Sequence, residues 1–249
     1  MLKEERHQHI LAELRIRNRI LLADIAQKLA VSEDTVRRDL KDLHDRGQLI
    51  KVHGGAIAKS FTPFSFHQEE IYDHPNKQII AHKALSVLRD GLVILITGGT
   101  TNLEFVSVLP PGMHLTIFTP SLQIAMQLTR NKNIETILIG GRVSPEAQVS
   151  IGAEALNTLA SVKADICFLG TGHLHPADGL SEFDWEVVQL KRAMIKSSRK
   201  TISLTLSAKL NSTQRYKICD IHEIDTLVTE LPPDSDILTP FQTNGLAVL

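Results

Sequence analysis

Three features of the sequence predict an α/β protein in two parts. The first 57 residues carry three helix-period segments and then a short, basic, glycine-containing stretch, which reads as a small helix-turn-helix domain with a hairpin behind it. From Asn76 onward, apolar runs of strand length alternate with helical segments and Gly/Pro breaks, the pattern of a mostly parallel sheet covered on both faces. Between these parts, no period is sustained and Pro63 and Pro75 interrupt the chain. The expected organisation is a helix-turn-helix domain at 1–57, a linker at 58–75 and an α/β domain at 76–249.

In the first part, Lys3 to Arg17 is an amphipathic helix with Ile10, Leu11 and Leu14 inward. Ala23 to Leu29 is a short second helix, with Ile25, Ala26 and Leu29 inward, and Ala30-Val31 is a tight turn into a third. Ser32 suits the N-cap of that helix, because its hydroxyl can accept from the exposed amides of the first turn. Val36, Leu40 and Leu43 fall at helical spacing, and Gly47 sits where a left-handed stop is expected. This leaves Thr35, Arg37, Arg38 and Lys41 on or near the outer face. Two helices joined by a short turn, the second one basic, is the pattern that enters a major groove, where arginine pairs with guanine or neutralises phosphate. Behind it, Lys51 and His53 in Lys51-Val52-His53-Gly54-Gly55-Ala56 are placed to touch backbone or minor groove. A solvated charged face is the alternative reading of the same residues.

Phe61, Phe64 and Phe66 cluster in the linker, so this segment is expected to pack on one of the domains. In the second part, Lys77 to Arg89 is helical, and Leu92–Ile96, Leu115–Phe118, Thr136–Ile139, Ile166–Leu169, Thr201–Leu206 and Thr226–Val228 are expected strands. Helical stretches fall near 101–109, 121–130, 152–161 and 184–199.

Bulk properties bound the function. A 249-residue chain with 43% hydrophobic residues is ordinary for a globular protein. No apolar run approaches the ~20 residues of a membrane helix, and the charged start Met1-Leu2-Lys3-Glu4-Glu5-Arg6 lacks the apolar core of a signal peptide, so a cytoplasmic address without membrane association is expected. Residues 1–60 hold 12 Lys+Arg against 9 Asp+Glu, and the remainder 15 against 19, so the net charge of -1 divides into +3 and -4. The positive part is the helix-turn-helix part, and DNA binding then depends on a local patch, doubled by dimerisation.

In parallel sheets, ligands bind beyond the carboxyl ends of the strands. The richest such end is Thr97-Gly98-Gly99-Thr100-Thr101-Asn102, which opens a helix. Its glycines admit close backbone approach, and its hydroxyls and free amides suit a phosphate or carboxylate. The Gly-Lys-Ser/Thr ending of a P-loop is absent. Gly140-Gly141-Arg142 sets a cation after a glycine pair, Gly170-Thr171-Gly172-His173 is a second glycine-rich exit, and Lys209 follows the strand at 201–206. The candidate effector residues are therefore Gly98, Gly99, Thr100, Thr101, Asn102, Gly141, Arg142, Gly170, Gly172 and Lys209. Many strand-to-helix turns use such residues only structurally, and Arg142 and Lys209 also read as surface charges. His173, His175, Asp178 and Glu182 match no zinc spacing, no Gly-x-Ser-x-Gly nucleophile turn exists, and no cofactor motif is present. Cys167, in an apolar run, reads as a small buried hydrophobe.

With these residues read, the chain resembles the DeoR family of bacterial transcriptional regulators from end to end. Val31-Ser32, Thr35-Val36-Arg37-Arg38-Asp39-Leu40, Leu43, Gly47 and Val52-His53-Gly54-Gly55-Ala56 follow its winged helix-turn-helix signature. Gly99-Thr100-Thr101, Leu138-Ile139-Gly140-Gly141, Gly152, Asp165, Phe168-Leu169-Gly170, Gly179-Leu180 and Lys191-Arg192-Ala193-Met194-Ile195 look like its sensor domain, which is similar in fold to ribose-phosphate isomerase. The resemblance implies a homodimeric or homotetrameric repressor of a sugar-catabolic operon, bound to a double-stranded operator and controlled by a phosphorylated sugar or related small anion. The chain departs from the family at three places. Thr97 stands where an Asp is usual, Pro120 where Thr-Asn-Ser has its Asn, and Leu206 where Asp-Ser-Ser-Lys has its Asp. Losing such partners costs on the order of 1–3 kcal/mol each for an unchanged ligand, so a less hydroxylated phosphorylated effector, or none, is expected. A sugar-phosphate isomerase or deaminase with an appended DNA-binding domain is the competing class. It needs a positioned carboxylate base, and Gly170-Thr171-Gly172-His173 supplies no acid.

Overall fold

The computed structural model describes residues 1–17, 19–58 and 73–249, and it divides into two compact units, Met1–His74 and Pro75–Leu249. The phenylalanine cluster of the expected linker lies outside the described residues.

In the first unit, α1 (Lys3–Arg17), β1 (Arg19–Leu21), α2 (Leu22–Lys28) and α3 (Glu33–Asp45) precede β2 (Ile50–Val52) and β3 (Gly55–Ile57). Ile10, Leu14, Ile25, Val36, Leu40, Leu43 and Leu49 form one core. Leu11 is only half-buried, and His7 takes a place inside instead. The turn between α2 and α3 uses Ala30 at φ 52, with Val31 N donating to Ala26 O at 3.0 Å. Ser32 caps α3 by accepting from Thr35 N at 3.2 Å, and Gly47 ends it at φ 68. The wing is a three-stranded antiparallel sheet in the order β1-β3-β2. Its third strand, β1, was not expected, because three residues leading directly into α2 show no strand period. Gly55 belongs at its crossing with β1: a Cβ there would lie 2.0 Å from Ile20 O.

The helix α4 (His74–Leu85), all but its first residue in the second unit, starts three residues earlier than expected and ends four residues sooner. There follow β4 (Val93–Ile96), α5 (Thr100–Ser107), β5 (Leu115–Thr119), α6 (Leu122–Leu128), β6 (Ile134–Leu138), β7 (Arg142–Ser144), β8 (Val149–Ile151), α7 (Ala153–Ala160) and β9 (Ala164–Gly170). Then come β10 (His173–His175), β11 (Gly179–Glu182), α8 (Trp185–Lys196), β12 (Ser198–Leu204), β13 (Tyr216–Cys219), β14 (Thr226–Val228), α9 (Thr239–Thr243) and β15 (Ala247–Val248). Seven strands form a parallel sheet in the order β15-β14-β12-β9-β4-β5-β6. Its order runs outward in both directions from the β4/β9 pair, so the strand order reverses there.

β12 starts at Ser198, not at the expected Thr201, because Ser198 and Lys200 pair with Ala164 and Ile166 of β9. Backbone pairing extends the strand past the end of its apolar run. The β7–β8 hairpin and the antiparallel sheet β10-β11-β13 were also not expected. Leu95, Cys167, Leu169, Leu174, Leu180, Val188, Met194 and Leu227 belong to one continuous core. Burial pushes both free thiols up, Cys219 to about 12, so neither Cys167 nor Cys219 is a ready nucleophile. Among the described residues no helix is long and apolar enough to cross a membrane.

Candidate functional site

On α3, Val36, Asp39, Leu40 and Leu43 are buried, while Arg37, Arg38 and Lys41 are exposed. Thr35 is half-buried, and its hydroxyl lies 2.9 Å from the Ser32 hydroxyl, so these two side chains hold the start of the helix. Arg37 is ion-paired with Asp34 one turn before it. Lys51 is exposed on β2, and His53 stands in the turn to β3 beside Gly54 at φ +74. The expected groove residues thus lie on one short helix and one hairpin of the same unit.

The burial of Asp39 was not read from the sequence. Its carboxylate accepts from Arg6 Nε at 2.7 Å and from a second guanidinium nitrogen at 3.0 Å, and lies 3.2 Å from His7 Nε2. The bond to Asp39 raises the Arg6 pKa against the opposing effect of burial. Lys3 pairs with Asp42 on the same face. Two ion pairs therefore fasten α1 along α3.

In the second unit, the carboxyl ends of β4 and β9 meet. A Cβ on Gly170 would lie 2.4 Å from Gly98 O, and one on Gly99 would face Gly170 Cα at 4.0 Å. Gly99, at φ +116, is the N-cap of α5. The Thr97 hydroxyl accepts from Gly170 N at 2.6 Å and from Asn102 Nδ2 at 3.1 Å, and Asn102 Nδ2 also donates to Thr97 O at 2.8 Å. Thr97 and Asn102 therefore hold the two glycine turns together, and Asn102 is fully buried. Thr100 and Thr101 are buried in the first turn of α5.

Lys209 Nζ donates to Thr171 O at 3.0 Å, so the structure brings it to the second exit. Gly172 stands beside Glu182, whose Oε2 would lie 3.6 Å from an added Cβ. The sequence set Glu182 beside His173 and His175 in a rejected zinc reading, yet it is a buried partner of Lys191, which donates to Glu182 Oε2 at 3.1 Å and to Gly170 O at 3.0 Å. Burial pushes the Glu182 carboxyl up. The Lys191 ammonium, the Phe183 N–H and the charge of His173 more than offset it, leaving the pKa below the ordinary glutamate value. An ionised carboxylate locked to a lysine is poorly matched to proton abstraction at neutral pH.

Gly141, at φ +136, packs so tightly that a Cβ would meet Ile151 O at 2.7 Å. Arg142, expected at the crevice, is exposed and paired with Glu186 in the first turn of α8. The β7–β8 hairpin instead meets the first glycine turn through Val149, whose Cγ1 would lie 2.9 Å from a Cβ on Gly98. Leu206 is buried, and Pro120 O accepts from Ser150 N at 2.8 Å, which ties the end of β5 to β8. His175 Nδ1 lies 3.0 Å from Asp178, and among the described residues no group of three His, Cys, Asp or Glu side chains is placed to hold a metal ion.

Residues 6–62 match the family model described as DeoR-like helix-turn-helix domain, and residues 73–231 match the one described as DeoR C terminal sensor domain. The HTH-type transcriptional regulator GolR of Listeria innocua is 30% identical over 246 residues, 98% of this chain and 97% of the relative. The Glycerol-3-phosphate regulon repressor of Escherichia coli is 26% identical over 239 residues, 96% of this chain and 95% of the relative. Among solved structures, ribose 5 phosphate isomerase A from Neisseria gonorrhoeae aligns with 55% of this chain and 53% of its own, at 17% identity and a TM-score of 0.39.

Proposed function

The chain belongs to the DeoR family of DNA-binding transcriptional regulators, and we propose that it represses a carbohydrate-catabolic operon and releases its operator when a small phosphorylated compound binds. The observation that carries the effector site is the junction of β4 and β9. Strand order reverses there, and two glycine turns meet back to back at the carboxyl ends. Open sheets bind ligands at such a point. The α5 amides after Gly98 and Gly99, the Thr100 and Thr101 hydroxyls and Lys209 form an anion cradle, Asn102 holds it in shape, and Gly170 and Gly172 let a ligand approach the backbone. Gly141 packs against Ile151 and Arg142 pairs with Glu186, so neither is counted in the cradle. Division at 1–57, 58–75 and 76–249 separates output from sensing.

On the output side, Arg37 and Arg38 contact base edges or phosphate with Thr35 and the Ser32 end of α3, Lys41 contacts phosphate, and Lys51 and His53 follow the backbone or minor groove. A symmetric dimer, or a tetramer built from dimers, reads paired half-sites about one helical turn or a multiple apart.

On the sensing side, Thr97 and Leu206 replace two carboxylates of the family pattern, and both are buried in the fold. A ligand with few hydroxyls fits what remains. A relative named for a glycerol-3-phosphate regulon is consistent with a short phosphorylated compound. A thermal-shift panel of three-carbon phosphates, pentose and hexose phosphates, their unphosphorylated forms and inorganic phosphate tests this. The expected result is stabilisation by a short phosphorylated compound and loss of operator binding at the same concentrations. Strong stabilisation by several ordinary sugar phosphates and by nothing else overturns the ligand class, and no response to any phosphorylated compound overturns the sensing role.

A further inference from the structure

The outer face of α3 carries a carboxylate that the groove contacts above leave unused. Measured at about 100° per residue from the buried stripe of Val36, Asp39, Leu40 and Leu43, the side chains of Asp34, Arg38, Lys41 and Asp45 lie within about 30° of the opposite direction. Glu33, the other acid of the first turn, points more than about 100° away from that direction. Asp45 is at the far end of the helix, roughly 16 Å along its axis, and recognition helices read bases with their N-terminal residues. Asp34 is therefore the acid that the groove meets first, and it is exposed.

An acid at this place weakens contact with a polyanion unless a base edge receives it. Favourable interaction with the helix dipole does not require this face, because Glu33 supplies it from the flank. In the major groove, guanine offers only acceptors, thymine an acceptor and a methyl group, adenine a donor beside an acceptor, and cytosine a donor. A carboxylate accepts only, so cytosine is the base it selects. Asp34 also holds Arg37 as an ion pair one turn along the same helix. A carboxylate has more acceptor sites than one guanidinium N–H uses, so it accepts from Arg37 and from a base together.

We propose that Asp34 is a specificity-determining residue, requiring cytosine at one fixed position of each operator half-site while it aims Arg37 at the guanine of a neighbouring base pair. The proposal rests on the reading of α3 as the groove helix.

The test is selection from randomised duplexes by the full-length protein, followed by titration of the selected duplex and its single-base variants, for wild type, D34A and D34N. Wild type should prefer cytosine at one half-site position by about 5- to 150-fold. D34A should lose that preference, relax the neighbouring guanine preference that Arg37 supplies, keep the others and bind random DNA more tightly. D34N should move the preference to adenine, whose donor–acceptor edge matches an amide. If D34A binds no DNA, the isosteric D34N decides. An operator profile unchanged in D34N overturns the role of Asp34 alone, whereas a wild-type protein that selects no sequence overturns the groove assignment of α3 as well.

Discussion

Asp39 of α3 accepts two hydrogen bonds from the Arg6 guanidinium of α1, across 33 residues of chain. Its neighbours Arg37 and Arg38 are exposed, so one side of the helix is anchored while the other is presented. Asp39→Ala removes the anchor and takes the shared carboxylate from Arg6 and His7. Removing one partner of a buried ion pair is strongly destabilising, and the partial exposure of Arg6 moderates that loss. Urea unfolding of the variant should show that loss, together with weaker operator binding. A variant within about 0.5 kcal/mol of wild type, the range of an ordinary surface change, would remove Asp39 from this role.

Arg37 and Arg38, proposed to enter the groove, allow output to be tested apart from sensing. The double variant Arg37→Ala/Arg38→Ala should abolish operator shifts in gels while keeping the thermal response to the effector. Lys41→Ala should act differently, weakening binding to every sequence alike and reducing the slope of log K against log salt by about 0.9. A gel shift unchanged in the double variant contradicts the assignment.

At the proposed effector site, Gly170→Ala puts a methyl 2.4 Å from Gly98 O, a backbone atom with no rotamer to move. One turn must shift, at a cost of about 1–3 kcal/mol, and the effector response should fall with it. Gly112 is the control, because a Cβ there meets nothing within 4 Å and its φ is not in the left-handed region. Gly112→Ala should be neutral or stabilising by about 0.4–1 kcal/mol. Equal melting temperatures for the two variants would show that the glycine turns at β4 and β9 do not constrain each other.

These residues also show how far the sequence could be read. α3 was legible because its cap at Ser32, its period through Val36, Leu40 and Leu43, and its stop at Gly47 all agree. Asp39 was not, since an acid following two arginines reads as surface, and only Arg6 and His7 in α1 account for its burial. The glycine turns at Gly98–Gly99 and Gly170 were visible as strand exits, but the strand order that makes them neighbours is a long-range property. β11 escaped detection because it is short and two of its four residues are the buried polar Ser181 and Glu182. Glu182 is tolerated inside because Lys191 arrives from α8.

That last pair makes a pH-dependent prediction with a definite sign. The Glu182 pKa is held below its usual value of 4.5, so the pair contributes stability that is fully present above that value and is lost as pH falls through the lower, folded-state pKa. Wild type should therefore lose stability on acidification below about pH 4.5. Lys191→Met reverses the balance, because burial then acts on Glu182 without its cation and raises the carboxyl. This variant should be destabilised by about 3–5 kcal/mol at neutral pH, and the gap to wild type should narrow towards pH 4 as Glu182 takes up its proton. Adding Glu182→Gln to Lys191→Met should recover part of the loss at neutral pH, because no uncompensated charge is left inside. Stability curves against pH for the three variants, measured by urea unfolding, check this. A gap between wild type and Lys191→Met that stays constant from neutral pH to pH 4 would mean that the two charges are not coupled, and the lysine would then act only through its bond to Gly170 O.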